Sequence, residues 1–344
     1  MSANDDLLQA LLKRDKVMDE WTADEYAVAL AVLEAAHTQA LGHISTLWKQ
    51  GDIAEITTQV DAVYLAAAQK VKAHVEATLP ALAEEEGAFI RILLGDVSKM
   101  PIKGATILWA DIAAHPIDGS TLADYADALG VNNAVDVVRE TQRALEQGKS
   151  LDELVQTLRG SVVTRAKWVQ GKYVPGTYNG GMMTTDTRQT EMFARTAVMH
   201  VGNQAREAYY KANEDLIKGY MRVETLDTRT CIECGVDDGK VYGVNAPRPS
   251  LPAHPDCRGI LVPVLKTYRE LGVDIDELPA GNRASMDGAV PQYTTWRDVL
   301  AKADDKRLSA ILGPTRAALY RGGMGVDSFV RDGKVIPLKA LRGK

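Results

Sequence analysis

The sequence has little of what marks a membrane protein or a secreted protein. It contains three cysteines in 344 residues, and aromatic residues make up only 6%. No apolar run approaches the length of a membrane span, and residues 1–14 mix aspartate and lysine with leucine instead of forming a signal peptide. An odd cysteine count without a signal peptide also argues against a disulfide framework. We therefore expect a protein of a reducing, cytosolic compartment with no membrane partner.

Motifs of common enzymes are missing as well. The chain has no Gly-x-Ser-x-Gly, His-Glu-x-x-His or paired-carboxylate motif. The glycine-rich residues 321–325 follow a predicted helix and lack the Gly-Lys-Ser/Thr of a P-loop, so the pattern favours a turn that ends a helix. We predict no catalytic residues and no small-molecule substrate.

All three cysteines fall in one short region together with a histidine. Cys231 and Cys234 form a Cys-x-x-Cys pair, and His254 and Cys257 follow in a His-Pro-Asp-Cys motif. Four soft or borderline ligands at short paired spacings are typical of a tetrahedral Zn²⁺ site with no open coordination position. We predict that these four residues bind one structural zinc ion, which would fold the segment around it and perform no chemistry.

Two neighbouring residues fit this interpretation. Gly235, directly after the second cysteine, is expected to let the chain turn tightly around the ion. Pro255 is expected to hold His254 and Cys257 close together. Three alternatives stay open at this point: a redox dithiol, which would need a thioredoxin-like βαβ context, a catalytic zinc ion, and no metal at all.

The N-terminal third has the apolar periodicity of long helices. Thr22 and Glu25 predict a capping box, and apolar residues at spacings of three and four predict a helix from there to Gly51. A second apolar stripe predicts an antiparallel helix that runs on to Pro80. Further helices are predicted at residues 107–114, 121–129, 133–147 and 151–158, with breaks that include Gly130 and Gly148.

The pattern changes after residue 160. Residues 172–185 are rich in turn residues, such as Pro175 and Gly176, and predict an exposed hairpin or loop. A long helix is predicted from Asp186, and residues 221–226 and 260–264 predict strands of a small antiparallel sheet with the metal at one end.

We therefore predict an α+β fold that is mainly α-helical. Its four parts are an N-terminal helical domain (1–160), a loop and long linking helix (161–222), a zinc-stabilised antiparallel β module (223–265), and a short basic C-terminal tail with helices (266–344).

Charge is spread unevenly along the chain. The formal net charge of −6 argues against a protein that coats nucleic acid. Residues 306–344, the basic segment, contain nine Lys or Arg and two Asp, which gives +7 and leaves −13 on residues 1–305. We predict that the basic segment contacts phosphate or an acidic protein surface.

One combination of motifs resembles a known family. A helix that contains Arg195 and Thr196 and then a strand precede Asp-Thr-Arg-Thr-Cys-Ile-Glu-Cys (residues 227–234), Asp-Gly-Lys-Val-Tyr (238–242) and Pro-Ala-His-Pro-Asp-Cys-Arg (252–258). In this order the motifs resemble the phage Mu F-like family of minor head, or head morphogenesis, proteins. The resemblance extends from roughly residue 133 to 264. The chain departs from the family at Gly259, where a further cysteine is common.

The resemblance implies a minor capsid protein of a tailed bacteriophage, a structural component associated with the portal and prohead. Its expected role is in head assembly, DNA packaging or DNA ejection. The implied partners are the portal protein, the major capsid protein and packaged DNA through the basic segment. The implied location is the virion, with the host cytoplasm during assembly. Two alternatives are a DNA-binding adaptor and a zinc-supported nuclease, for which His200, Asp237 and Asp238 are candidate side chains.

Overall fold

The structure, a computed structural model, describes residues 3–164, 167–169, 172–174, 177–179, 181–272 and 282–341. The chain divides into two compact units. Unit 1 comprises Met1–Lys16, Ala83–Ile107 and Gly202–Lys344, and unit 2 comprises Val17–Leu82 and Leu108–Val201. Because these units are defined by contacts and not by independent folding, the four-part domain division stays a prediction.

The fold is mainly helical with a small antiparallel sheet, as the sequence predicts. The α-helices are α1 (Ala3–Leu47), α2 (Ile53–Ser98), α3 (Trp109–Ala114), α4 (Leu122–Glu146), α5 (Leu151–Arg159), α6 (Met183–Ala212), α7 (Ile232–Gly235), α8 (Trp296–Lys302), α9 (Asp305–Leu312), α10 (Pro314–Arg321) and α11 (Leu338–Leu341). The strands are β1 (Ser161–Thr164), β2 (Lys167–Val169), β3 (Lys172–Val174), β4 (Thr177–Asn179), β5 (Ile217–Val223), β6 (Val241–Gly243), β7 (Ile260–Leu265), β8 (Asn282–Ser285), β9 (Gly288–Pro291), β10 (Val330–Arg331) and β11 (Lys334–Val335). None of the described helices has both the length and the apolar character that a membrane span requires.

The start of the first helix differs from the prediction. Helix α1 passes through Thr22 without a break, and the Thr22 hydroxyl donates a hydrogen bond of 2.8 Å to the Met18 carbonyl one turn earlier. Glu25 is buried and accepts a 2.8 Å hydrogen bond from the Thr78 hydroxyl. The predicted capping box is therefore wrong. Buried apolar residues such as Leu11 already continue the helix upstream of Thr22, and tertiary burial outweighs the local capping signal.

Two residues that predict helix ends lie inside helices instead. Helix α2 continues through Pro80, whose neighbours Leu79 and Leu82 are fully buried. Helix α4 continues through Gly130, where a Cβ atom would come within 2.7 Å of the Tyr64 carbonyl oxygen. Glycine is thus needed at position 130 because the backbones of α4 and α2 approach each other closely. Both predicted ends are wrong, whereas α5 confirms the helix predicted at 151–158.

Unit 2 is built on antiparallel packing of the long helices. Glu25 of α1 pairs with Thr78 of α2, and His37, which comes later in α1, contacts Tyr64, which comes earlier in α2. The two helices therefore run in opposite directions. This confirms the predicted antiparallel arrangement. The apolar core of the unit contains residues of α1, α2, α4 and α5: Leu33, Ala36, Ala40, Ile44, Ile56, Val60, Val63, Tyr64, Ala67, Ala134, Val137, Ala144, Leu154 and Leu158.

Strand β1 pairs with β4, and β2 pairs with β3, both in the antiparallel direction. This agrees with a hairpin, although the predicted turn residues Pro175 and Gly176 lie outside the described residues. Helix α6 begins at Met183, three residues before the predicted start at Asp186. The last residues of the predicted loop therefore belong to the helix.

A three-stranded antiparallel sheet lies next to the predicted metal ligands in unit 1. Strand β5 is central and pairs with both β6 and β7; Tyr220 lies opposite Tyr242 on one side and Pro263 on the other. Strand β7 confirms the strand predicted at 260–264, and β5 overlaps the strand predicted at 221–226 but begins and ends a few residues earlier. Residues 224–230 leave the sheet because the chain turns toward Cys231, with Asp227 N bonded to Thr225 O at 3.0 Å.

The C-terminal part of the chain folds against the ligand-bearing region of unit 1. Trp296, Leu308 and Phe329 are fully buried and share one apolar cluster with Leu226 and Ile232. The basic segment thus contributes buried side chains to a packed core and is not an extended tail. The sequence predicts its helices but not this packing.

Candidate metal centre

Each half of the predicted ligand set is held by a local backbone motif. Cys231 is the N-cap of α7, with extended backbone angles, and its sulfur accepts a 3.3 Å hydrogen bond from the Cys234 N–H. In the second half, Cys257 N donates to His254 O at 3.2 Å, and Asp256 between them has φ of 63°. Proline followed by a left-handed residue is the pattern of a type II turn. Two tight motifs therefore each present two side chains.

The four predicted ligands are linked by contacts that run through Cys234 and His254. The sulfur atoms of Cys231 and Cys234 each lie 3.1 Å from His254 Nε2, and the sulfurs of Cys234 and Cys257 are 3.7 Å apart. Zinc–sulfur bonds of about 2.3 Å in a tetrahedron place two sulfurs about 3.8 Å apart and a sulfur and a nitrogen about 3.5 Å apart. The sulfur–sulfur distance fits, and the sulfur–nitrogen distances are somewhat shorter. Two groups of three that share Cys234 could each hold a metal ion: Cys231, Cys234 and His254, and Glu224, Cys234 and Cys257.

The histidine is oriented as a metal ligand. His254 Nδ1 lies 2.7 Å from the carbonyl oxygen of Pro255. Because a carbonyl can only accept, Nδ1 carries a proton, and Nε2 is the nitrogen directed at the sulfurs. A hydrogen bond from the second ring nitrogen to a carbonyl is the common arrangement for a metal-binding histidine.

The protonation of the cluster also suits metal binding. Hydrogen bonds from Cys234 and His254 lower the pKa of Cys231 to about 4, and the bond from Cys234 lowers the pKa of Cys257 to about 6. The pKa of Cys234 is raised, since this thiol donates to its neighbours. The hydrogen bond with Cys231 raises the pKa of His254 to about 9. Two thiolates are therefore favoured at neutral pH, and a metal ion would displace the remaining protons.

A buried ion pair adjoins the cluster. The Arg222 guanidinium is only 3% exposed and donates to Glu224 Oε1 at 2.7 Å, to Asp237 Oδ2 at 3.2 Å and to Cys234 Sγ at 3.1 Å. Burial and the nearby Cys257 raise the pKa of Glu224, and the charge and hydrogen bond of Arg222 oppose this shift. The sequence analysis missed this pair. A usable signal was present, because two charged residues at alternate positions of a strand share one face.

A second ion pair joins the two ligand loops. Arg258 donates two hydrogen bonds to the carboxylate of Asp227, at 2.7 and 2.8 Å. The same carboxylate accepts from the backbone N–H groups of Arg229 at 2.9 Å and Thr230 at 3.2 Å. Asp227 therefore shapes the turn before Cys231 and ties it to the residue after Cys257.

Gly235 has a role other than the predicted one. Its φ angle is not positive, so glycine is not required there for a tight turn. A Cβ atom at this position would instead collide with the ring of Trp296, which packs against the end of α7. The expectation that Gly235 lets the chain turn tightly is wrong. Glycine is needed there because a larger side chain would not fit beside the Trp296 ring. Gly259 is similar, because a Cβ there would collide with the Glu224 carboxylate.

The three side chains of the nuclease hypothesis all make structural contacts. His200 belongs to unit 2, where its Nε2 lies 2.8 Å from the Ile112 carbonyl oxygen and burial lowers its pKa to about 4. Asp238 is buried and accepts backbone hydrogen bonds from Glu224 at 2.8 Å and Trp296 at 2.7 Å. Asp237 accepts from Arg222. Both aspartates are engaged in structural contacts.

The fold and site define a mainly helical protein with a Cys₃His cluster beside a small antiparallel sheet. The family described as phage Mu protein F like protein matches residues 136–262, less than half of the chain but including all four Cys/His residues. Over this region the chain is similar to the phage Mu protein F like family, as its motifs predict. No curated protein and no solved structure is significantly similar to the chain.

Proposed function

We propose that the protein is a minor head protein of a tailed bacteriophage, a structural component associated with the portal and prohead. Its role lies in head assembly, DNA packaging or DNA ejection, its partners are the portal and major capsid proteins, and its location is the virion, with the host cytoplasm during assembly. The observation that carries this proposal is the family match over residues 136–262. The protein would act through binding and not as an enzyme.

The test of this role is made on particles. Virions and proheads of the phage that encodes the chain are purified and searched for its peptides by mass spectrometry, and a null allele is compared with the complemented strain. We expect the chain in both particles and few filled heads in the null strain. A chain that is absent from both particles, with a normal yield of infectious phage from the null allele, would contradict the proposal.

We further propose that Cys231, Cys234, His254 and Cys257 bind one structural Zn²⁺ ion. The ion would supply a cross-link between the start of α7 and the 254–257 turn, and it would leave no coordination position open for chemistry. The donor set, the 3.7 Å sulfur–sulfur distance and the orientation of His254 support this assignment. Residues 223–265 are the part of the chain that we expect the metal to fold.

Within the same proposal, the basic segment contacts packaged DNA. Some of its cations are already paired: Arg307 lies 2.8 Å from the Asp287 carboxylate and Arg321 lies 2.9 Å from that of Asp305. Lys306 and Lys339 are exposed and are better candidates for phosphate contacts. Deleting the segment would also remove buried core residues such as Phe329, so charge reversal is the cleaner test.

The matched variants are Lys306→Glu/Lys339→Glu in the basic segment and Lys49→Glu/Lys70→Glu at exposed positions of unit 2. Because both variants change the net charge by the same amount, a difference between them in DNA binding reports the position of the charge. We expect the first pair to weaken salt-sensitive DNA binding and the second to leave it within about twofold, because phosphate contacts act through local charge. Equal effects of both pairs would contradict a contact through the basic segment.

The nuclease and the stand-alone DNA-binding adaptor are the competing functions. Divalent-metal-dependent cleavage of DNA by the wild type, lost in His254→Ala, would favour the nuclease. DNA binding by a chain that never enters particles would favour the adaptor.

A further inference from the structure

Arg222 donates hydrogen bonds from all three nitrogen atoms of its guanidinium, and one of them reaches the cluster. Its Nε donates to Glu224, its Nη1 to Asp237 and its Nη2 to the sulfur of Cys234. The side chain comes from β5, and Cys234 lies on α7, so the contact joins the sheet to the ligand helix. The planar guanidinium has a fixed set of donor directions, and it therefore defines where each acceptor lies.

The contact with sulfur has one possible direction. An arginine side chain has donors and no acceptor, so the Cys234 sulfur accepts in the 3.1 Å contact with Nη2. A permanently charged donor favours an acceptor that carries negative charge. The contact therefore fixes the position of the Cys234 sulfur relative to β5.

Charge balance points the same way. A Zn²⁺ ion with three thiolates and a neutral imidazole carries one net negative charge. Cys234, Cys257 and Glu224 are all buried, and their ligand atoms lie within 4.8 Å of one another. A further buried carboxylate beside such an anion is costly unless a cation is present. Arg222, 3% exposed, is that cation.

We propose that Arg222 is a positioning residue of the metal centre, which holds the Cys234 sulfur as a ligand and so sets the affinity for zinc. This inference rests on the proposed zinc site. A different role would be to neutralise Glu224 alone, with no direct effect on the sulfur. The two roles predict different results when Glu224 is made neutral.

The experiment measures zinc affinity of the full-length chain by competition with a chromogenic chelator. The variants are Arg222→Met, Glu224→Gln and the double variant. We expect Arg222→Met to weaken zinc binding about 10- to 100-fold, both in the wild type and in the Glu224→Gln background. If the double variant binds zinc within about twofold of Glu224→Gln, Arg222 acts only on Glu224 and the inference is overturned.

The matched control is a buried Arg–Glu pair in the same unit. Arg206 is 1% exposed and lies 2.6 Å from the fully buried Glu86. The double variant Arg206→Met/Glu86→Gln removes a comparable pair that has no sulfur contact among the described residues. We expect its zinc affinity to stay within about twofold of wild type, although its stability falls. An equal loss of affinity in this control would mean that general destabilisation explains the effect, and it would overturn the inference.

A spectroscopic readout separates positioning from stability. In the Co²⁺-loaded protein, the sulfur-to-metal charge-transfer absorption should shift in Arg222→Met and stay unchanged in Glu224→Gln. If Arg222→Met does not fold, Arg222→Lys takes its place, because an ammonium keeps the charge but lacks the planar fork. An unchanged affinity and spectrum in that variant overturns the inference. A wild-type chain that binds no zinc is a separate outcome, since it refutes the proposed site itself.

Discussion

Replacing Gly235 by alanine should destabilise the protein, whereas the same change at Gly42 should stabilise it. Gly235 ends α7 directly after Cys234, and an added methyl group would overlap the ring of Trp296. Gly42 lies exposed within α1 and has no atom within 4 Å of the position that a Cβ would take. The two substitutions change the same group, and only the surrounding space differs.

The magnitudes follow from these environments. Inserting a methyl group into a packed core costs about 1–3 kcal/mol, and the fully buried Trp296 has little room to move. Glycine is about 1 kcal/mol less favourable than alanine inside a helix, so Gly42→Ala should raise the free energy of unfolding by about 0.5–1 kcal/mol. The expected changes have opposite signs.

The assay is urea denaturation of both variants and the wild type, followed by circular dichroism at equal metal content. We expect the midpoint to fall for Gly235→Ala and to rise for Gly42→Ala, with similar slopes. If Gly235→Ala is as stable as Gly42→Ala, Trp296 does not pack on α7, and the shared core of the ligand loop and the C-terminal segment is refuted.

Three further predictions concern single side chains. Gly259→Ala should displace the Glu224 carboxylate and lower the thermal midpoint, and an unchanged midpoint would show that the carboxylate does not lie over residue 259. Asp227→Asn should cost about 1–3 kcal/mol in urea denaturation, because a half-buried acceptor of Arg258 loses its charge, and a cost near zero would contradict the loop contact. The pKa of His200 is lowered from 6.5 to about 4 in the folded protein. Between these two pH values, the unfolded chain therefore binds a proton that the folded protein does not bind. Stability should therefore be complete above pH 6.5 and fall by about 3 kcal/mol toward pH 4, and His200→Gln should flatten this dependence if the assignment is right.

The pairing of the candidate ligands could be predicted from the sequence because its geometry is local. Residues three apart share one face of a helical turn, which brings Cys231 and Cys234 together. His254 and Cys257 are joined by a four-residue turn in the same way. The Cys231/Cys234 motif and the His254/Cys257 motif come together only through tertiary contacts. Because the sequence has no other cysteines, no other cysteine-containing motif could take the place of either one.

The contacts around the ligands could not be predicted so readily, since they depend on tertiary packing. Arg222 reaches Cys234 only after β5 has paired in the sheet, and Trp296 reaches Gly235 across more than sixty residues of chain. The predicted helix ends at Thr22 and Gly130 are wrong for a related reason. Thr22 and Gly130 carry local signals worth about 1 kcal/mol each, which burial of long apolar stripes outweighs.

The zinc content of the purified full-length chain tests the central claim most directly. It is measured by elemental analysis after purification without added metal, with His254→Ala as the ligand variant and His200→Gln as the control histidine. The account predicts about one zinc per chain in the wild type and in His200→Gln, and a large loss in His254→Ala. A wild-type content below about half an equivalent, or an equal content in His254→Ala, would contradict it.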